Sequence, residues 1–249
     1  MQDYLIFHLY GPMAAWGDIA IGETRPSYSY PSKSAIMGLI AAALGISREQ
    51  EQKLLDLNQD YGFAVRVEAW GEAIHDYHTS QVPSQAALKK VPHATRRDEL
   101  LITELNTILS TRTYYGDAIY TIALWKAAQN PGYSLKQTAQ ALRQPTFALY
   151  LGRKACPLAM PVQTKLIQAA SIQTALQQVE RNWQQVLTQF NLNQLVEDKQ
   201  QRLYWDNTGT SDIKAQQTFV HQDQLTSRKR WQYTDRYENF ANYEYKVQE

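Results

Sequence analysis

The chain has 249 residues, 44% of them hydrophobic, and a formal net charge of +1. This is enough apolar material for a buried core, in one large domain or two small ones. Its single cysteine, Cys156, excludes an internal disulfide, and the short, acidic N-terminal run excludes a signal peptide and a membrane anchor, so we expect a cytoplasmic protein.

The chain opens with a predicted strand, a long loop and a helix. Residues 3–11 are rich in β-branched and aromatic side chains and predict a buried strand, and residues 12–31 predict an ordered loop. The apolar run that follows predicts a buried helix that Ser32 caps and Gly45 ends. The first turn of this helix carries Lys33 and no acid, although carboxylates are favoured at helix N-termini.

The next elements complete a βαββαβ order over residues 3–152, the order of the split βαβ or ferredoxin-like arrangement. The stretch over 61–78 alternates, with Phe63 pointing to the core and Arg66 to solvent, and predicts a strand with one wet face. The remaining predicted elements are a surface helix over 49–58, a strand over 118–125, a helix over 134–143 and a strand over 146–152 that ends in glycine.

Two segments of the chain lie outside this βαββαβ order. Residues 79–113 form a polar insertion between the second and third strands, helix-prone over 84–105. Residues 172–190 carry an apolar stripe at helical spacing, which favours packing on the protein's own sheet over binding a partner. Strand-like runs follow at 202–205 and 217–222.

The near-neutral total hides local charge. Residues 143–165 carry four bases and no acid, residues 225–236 four bases and one acid, and the insertion five bases and three acids, whereas residues 49–76 carry seven acids and two bases. The basic segments contain aromatic residues or glycine (YLGRK, RKRWQY, RTYY), a combination that stacks bases and holds phosphates. From charge alone, an ordinary protein surface with basic patches explains these segments equally well.

The sharpest local motif is YLGRKACP at residues 150–157. A strand that ends at Gly152 leaves free backbone N–H groups beside Arg153 and Lys154, and glycine lets a phosphate approach the main chain. Taken by itself, the motif is explained slightly better by an ordinary turn with solvated bases.

The histidines do not suggest a metal or catalytic cluster. His75 and His78 would point to opposite faces of one strand, and His8 lies in an apolar strand, which indicates a core residue. No phosphate-binding loop or nucleophile motif is present, so we expect no cofactor and no metal. General acid–base cleavage of RNA by His78 or His93 stays open as an alternative.

Four motifs together resemble one family. They are HLYGPMAAWGD (8–18), YPSKSAIMGLIAAALG (30–45), LSTRTYYGDAIYTIAL (109–124) and YLGRKACPLAMP (150–161). In this order they are similar to the Cas5 family of type I-E CRISPR Cascade complexes, in the RAMP superfamily of RNA-binding proteins. The late basic and aromatic stretch SRKRWQYTDR (227–236) also resembles that family.

The resemblance implies an α+β architecture. Residues 1–155 would form a ferredoxin-like, RRM-like RNA-binding domain with a protruding thumb at 79–113. Residues 156–249 would form a small C-terminal α+β extension packed on it.

The resemblance also implies a non-catalytic subunit that holds the 5′ handle of the CRISPR RNA (crRNA) and caps the backbone filament. Its partners would be the Cas7-type backbone subunit and the large subunit that reads the protospacer-adjacent motif, with target DNA contacted only indirectly. In a sister subtype the homologous subunit cuts repeat RNA, so a metal-independent endoribonuclease is the alternative. A protein-only assembly factor is a third possibility.

We therefore predict one RNA-binding groove. Ser32, Lys33 and Ser34 would offer a helix N-terminus, a cation and hydroxyls to handle phosphates. Arg112 would stack on or clamp a handle base. The full predicted set of RNA-binding residues is Arg25, Ser32, Lys33, Ser34, His78, Lys89, Lys90, Arg96, Arg97, Arg112, Tyr150, Gly152, Arg153, Lys154, Arg228 and Arg230.

Overall fold

The computed structural model describes residues 1–89, 94–102, 104–196 and 200–244. Its strands are β1 (Gln2–Tyr10), β2 (Met13–Ala14), β3 (Thr24–Arg25), β4 (Tyr61–Ala69), β5 (Glu72–Pro83), β6 (Leu105–Gly116), β7 (Ile119–Lys126), β8 (Thr164–Ala169), β9 (Gln200–Asp206), β10 (Gln217–Ser227) and β11 (Gln232–Glu244). Its helices are α1 (Lys33–Ala43), α2 (Glu51–Asp60), α3 (Gln85–Leu88), α4 (Arg96–Leu100), α5 (Leu135–Arg143) and α6 (Ile172–Gln189), followed by a 3-10 turn at Asn193–Leu195. Within the described ranges, every helix is too short or too polar to cross a bilayer.

Seven strands form one antiparallel sheet in the order β10-β11-β9-β4-β7-β1-β8. Its four strands β8-β1-β7-β4 come from two interleaved β-α-β units. The first unit runs from β1 through α1 and α2 to β4, and the second runs from β7 through α5 to β8. Each unit leaves a gap between its two strands that a strand of the other unit fills.

Helices cover both faces of this sheet. Side chains of a strand alternate between faces, so Leu5 and Phe7 of β1 join a core with α1 and α5, whereas Tyr4 and Ile6 join a core with α6. The predicted apolar stripe of α6 is buried at Ile172, Ala175, Leu176, Val179, Trp183 and Leu187. The expectation that this helix packs on the protein's own sheet is therefore confirmed.

The predicted single strand over 61–78 is wrong in two respects. The chain bends at Gly71, whose φ is +66°, so that β4 lies in the large sheet and β5 in a second sheet. Every residue of β4 is buried, including Arg66 and Glu68. The face predicted to be wet is covered because α6 packs against it.

The predicted strand over 146–152 is also wrong. The N–H groups of Thr146 and Phe147 donate to the carbonyl oxygens of Ala43 and Ala42, at 3.0 and 3.2 Å. This segment therefore satisfies the free carbonyls at the end of α1 and does not join a sheet. The strand that pairs with β1 at this edge is β8, further along the chain.

The insertion forms the outer part of a long hairpin. Strands β5 and β6 pair from Glu72 opposite Gly116 to Pro83 opposite Leu105, and the short helices α3 and α4 lie between them in the chain. β2 and β3 pair with β6 on its other side and complete the second sheet.

The C-terminal strands extend the large sheet. β9 pairs with β4, β11 with β9, and β10 with β11. The predicted runs at 202–205 and 217–222 lie within β9 and β10, and β11 was not predicted. The edge of the sheet beyond β4 is therefore built by the last fifth of the chain.

A buried ion-pair group joins α6 to β4. The guanidinium of Arg66, 0% exposed, lies 2.6 Å from Glu68 and 2.8 Å from Glu180 of α6. Glu68 also accepts a hydrogen bond from the Thr121 hydroxyl. Removing one partner of a buried pair leaves charge without compensation in a medium that solvates it poorly.

We expect Glu180→Ala to lower the free energy of unfolding by about 3 kcal/mol, the usual cost of breaking a buried pair. The matched control is Glu99→Ala, which breaks the exposed Arg96–Glu99 pair and is expected to cost under about 1 kcal/mol. Urea denaturation of both variants measures the difference. Equal effects would contradict the assignment of Glu180 to a buried, structural pair.

Candidate nucleic-acid interface

The acid missing from the first turn of α1 is supplied by the C-terminal strands. The Ser32 hydroxyl caps the helix by accepting from the Ala35 N–H, as predicted. The Lys33 N–H donates to Asp223 of β10 at 2.9 Å, and the Lys33 ammonium pairs with Asp206 of β9 at 3.2 Å. Both carboxylates lie where the positive end of the helix dipole favours them.

Lys33 is therefore not a free cation. It is only 5% exposed, and burial lowers the pKa of its ammonium although the charge of Asp206 opposes this change. The predicted contact between Lys33 and handle phosphate needs an accessible charge, so the structure corrects it. The ion pair with Asp206 gives this lysine a structural role at the helix end.

A further set of charged groups holds Asp223 in place. The Arg236 guanidinium donates to both oxygens of Asp223, at 2.7 and 2.9 Å, and to Glu238 at 2.7 Å. The Tyr30 hydroxyl donates to Glu238 at 2.8 Å, and His221 lies 3.1 Å from the same carboxylate. We call the group formed by Lys33, Asp206, Asp223, Arg236, Glu238, Tyr30 and His221 the α1 clamp.

Beside the clamp lies an open groove with a volume of about 910 Å³. Its walls are one face of α1, the loop at 15–19, the segment at 147–154 and the tip of the β10–β11 hairpin. The groove brings together seven of the predicted RNA-binding residues, namely Ser32, Ser34, Tyr150, Gly152, Arg153, Lys154 and Arg228. Ser32 lines the groove but is only 8% exposed, and its hydroxyl is used in the cap.

The groove carries more positive than negative charge. Its basic side chains are Arg48, Arg153, Lys154 and Arg228. Its acids are Asp18 and Asp223, and Asp223 is neutralised by Arg236. The resulting surface suits a polyanion, with small residues such as Gly38 of α1 leaving open space along one wall.

The turn around Gly152 has its shape because residue 152 cannot carry a side chain. Gly152 has φ of +86°, and a Cβ atom there would lie 1.8 Å from the carbonyl oxygen of Ala15. The Leu151 N–H donates to the carbonyl oxygen of Cys156 at 2.7 Å, and this hydrogen bond closes the turn. The turn predicted around Gly152 is present, although no strand precedes it.

Arg153 connects the groove to the second sheet. The Arg153 guanidinium donates to the carbonyl oxygens of Thr113 and Arg25, at 3.1 and 3.0 Å, and lies 4.8 Å from the centre of the Tyr114 ring. Arg25 is the register partner of Arg112 in the second sheet. Neither Arg25 nor Arg112 is part of the groove walls, and the Arg25 guanidinium donates to backbone carbonyl oxygens of its own loop.

The other predicted residues lie elsewhere. His78, Lys89 and Arg97 are exposed on the β5–β6 hairpin, and Arg96 there pairs with Glu99 and donates to the carbonyl of Gln81. Lys90 lies outside the described residues. Arg230 is exposed at the tip of the β10–β11 hairpin but does not line the groove.

Sequence reasoning did not select Arg48, Phe147 or Trp231, which all line the groove. Arg48 follows the end of α1 as a single base, so only the fold reveals its position. Trp231 had a visible signal, since it directly follows three basic residues in RKRWQY.

The described histidines lie in separate environments. His8 is stacked on Trp183 at 3.7 Å and contacts the Thr121 hydroxyl, and burial lowers its pKa well below the ordinary value. The expectation of a core histidine is confirmed. Across the described ranges, no three His, Cys, Asp or Glu side chains are grouped to hold a metal, and His93 lies outside them.

The clamp makes stability depend on pH. Hydrogen bonding to Glu238 raises the pKa of His221, although burial alone would lower it. Burial alone would raise the pKa of Glu238, but His221 and Arg236 together lower it. A histidine whose pKa is raised on folding stabilises the protein fully below its unfolded value of about 6.5 and loses this contribution as the pH rises through the folded value.

We expect His221→Gln to lower the free energy of unfolding more at about pH 5.5 than at about pH 9, because Glu238 is ionised at both values. Urea denaturation at the two pH values measures this. His78→Gln, at an exposed position on β5, is the control and should show no such difference. A larger loss at high pH would contradict the assignment.

Comparisons with known proteins agree with this architecture. The family model described as CRISPR-associated protein (Cas_Cas5) matches residues 4–236. The CRISPR system Cascade subunit CasD of Escherichia coli (strain K12) is 35% identical over 176 residues, covering 71% of this chain and 76% of that protein. A chain of a CRISPR RNA-guided surveillance complex shares the fold with a TM-score of 0.60 and 23% identity, over 97% of this chain and 90% of that chain. The crystal structure of a Cas protein does so with a TM-score of 0.60 and 20% identity, over 96% and 94%. The chain belongs to the Cas5 family of CRISPR-associated proteins.

Proposed function

We propose that this protein is a non-catalytic RNA-binding subunit of a cytoplasmic type I-E CRISPR Cascade complex, in which it holds the 5′ handle of the crRNA. The observation that carries the proposal is the groove, where basic side chains from three distant parts of the chain meet beside the turn at Gly152. The likeness to a Cascade subunit supports membership of such a complex.

We propose that β8-β1-β7-β4 and helices α1 and α5 form a ferredoxin-like, RRM-like domain of the RAMP type. Its support is the interleaving of the two β-α-β units. In this scheme residues 1–155 are the RNA-binding domain, completed by β8. Residues 156–249 extend its sheet, and the hairpin segment 79–113 is the thumb.

The groove would hold the handle mainly through its backbone. Arg48, Lys154 and Arg228 would contact phosphates, and the backbone N–H groups of Arg153 and Lys154, just after Gly152, would donate to a phosphate at close range. Arg153 would act mostly as a positioning residue, because two of its donors are already used on Thr113 and Arg25. Arg112 would reach the RNA where it leaves the groove.

The hairpin would face the neighbouring subunits and the guide. It carries His78, Lys89, Arg96 and Arg97 together with exposed apolar side chains at Ile74, Tyr77, Leu101 and Ile108. Such a mixed surface suits contact with both protein and RNA. We propose the Cas7-type backbone subunit and the large motif-reading subunit as its partners, with this chain capping the backbone filament and meeting target DNA only indirectly.

We expect the double variant Arg48→Ala with Lys154→Ala to bind single-stranded repeat RNA more weakly and with less salt dependence. Each phosphate contact on a single strand contributes about 0.7 to the slope of log K against log salt, so the slope should fall by about 1.4. Fluorescence anisotropy over a salt series measures it.

The matched control removes the same charge from α5, through Lys136→Ala with Arg143→Ala, at exposed positions outside the groove. Its salt slope should equal that of the wild type. If both double variants lower the slope equally, the RNA does not lie in this groove.

We also propose that the chain does not cut RNA. Its described histidines are scattered, with His8 in the core, His221 in the clamp and the other two on the hairpin. We expect repeat RNA to stay intact when incubated with the purified protein in EDTA, as judged on a denaturing gel. A specific cut that persists in EDTA would favour the endoribonuclease instead.

A further inference from the structure

One aromatic side chain lies open at the edge of the groove. Trp231 is 62% exposed and lines the groove at the tip of the β10–β11 hairpin. The other tryptophans are half-buried at Trp70 and at most 3% exposed at Trp16, Trp125, Trp183 and Trp205. An exposed indole on a basic surface is therefore a feature of this position alone among the six tryptophans.

The ring is held in place before any ligand binds. The Arg228 guanidinium lies 3.8 Å from the centre of the Trp231 ring and also donates to the Tyr233 hydroxyl at 3.0 Å. The hairpin tip is fixed to the start of α2, because Glu51 accepts from the Ser227 hydroxyl at 2.6 Å and from the Lys229 N–H at 3.2 Å. Arg228 covers one face of the indole, so most of the exposed surface belongs to the other face and the edges.

The backbone conformation at Trp231 also indicates a binding role for its side chain. Its φ is +53°, in the left-handed region that glycine or asparagine adopts with little strain and a bulky residue adopts at a cost. Strained positions of this kind cluster where a side chain serves binding. The turn itself does not need an indole.

We propose that Trp231 is a base-stacking platform, which takes one unpaired base of the RNA on the face opposite Arg228. The basic groove favours a nucleic-acid ligand over an apolar peptide, and an aromatic face accepts any base with some preference for the larger purines. Arg228 would then stack from behind and approach the flanking phosphate. This inference rests on the proposed function, and it names a single-base subsite within it.

The test uses Trp231→Gly, because glycine fits the left-handed backbone and should keep or raise the melting temperature. The probes are RNA decamers of adenosine, of uridine and of abasic ribose phosphate. We expect the variant to bind oligoadenosine about ten-fold more weakly, with a smaller loss on oligouridine and almost none on the abasic strand. Tyr237→Ala, at a position 58% exposed on the same hairpin but outside the groove, should bind all three like the wild type.

A second readout reports stacking directly. The fluorescence that Trp231 contributes, taken as wild type minus variant, should be quenched by oligoadenosine and not by the abasic strand. Equal loss of affinity on all three strands, or binding without quenching, would overturn the inference and leave the proposed function standing. Absence of wild-type binding to the decamers would overturn the inference, and absence of binding to repeat RNA as well would overturn the proposed function.

Discussion

The groove depends on how the N-terminus of α1 is closed. This helix begins with a lysine and no acid, and the negative charge that stabilises its start comes from Asp206 and Asp223, which lie 173 and 190 residues away in the chain. Arg236 binds Asp223 through two nitrogens and orients it. Because one buried charge removed from such a group leaves the others uncompensated, the group behaves as a unit. It fixes the β10–β11 hairpin beside α1 and so sets the distance between two walls of the groove.

The same arrangement explains how a nearly neutral protein presents a basic surface. Several acids are used inside the fold, with Asp206, Asp223 and Glu238 in the clamp and Glu68 and Glu180 around Arg66. The groove retains the positive charges of Arg48, Lys154 and Arg228 along its walls. Net charge therefore says little about binding here, since the distribution of charge decides the local field.

Sequence reasoning succeeded where the signal is local. The Ser32 cap, the apolar helix α1, the serine-capped helix α5 and the stripe of α6 depend on neighbours within one or two turns, and all are present. It failed where a distant segment decides the outcome. Residues 146–152 have the composition of a strand, but their N–H groups meet the end of α1. Lys33 looked like a free cation because its partner Asp206 is far away in sequence. The motifs YLGRK and RKRWQY drew attention to two segments that line the groove, whereas no sequence pattern marked Arg48.

The clamp connects residue 33 to residues 206, 223 and 236, so the residues that shape the groove are spread over most of the polypeptide. During synthesis the N-terminal strands and helices emerge first, and α1 is complete long before the carboxylates that close its leading end exist. A chain interrupted between Ala169 and Gln200 would keep β1, β4, β7 and β8 but lack one wall of the groove. The groove therefore reaches its final shape only after the last strands of the chain have been made.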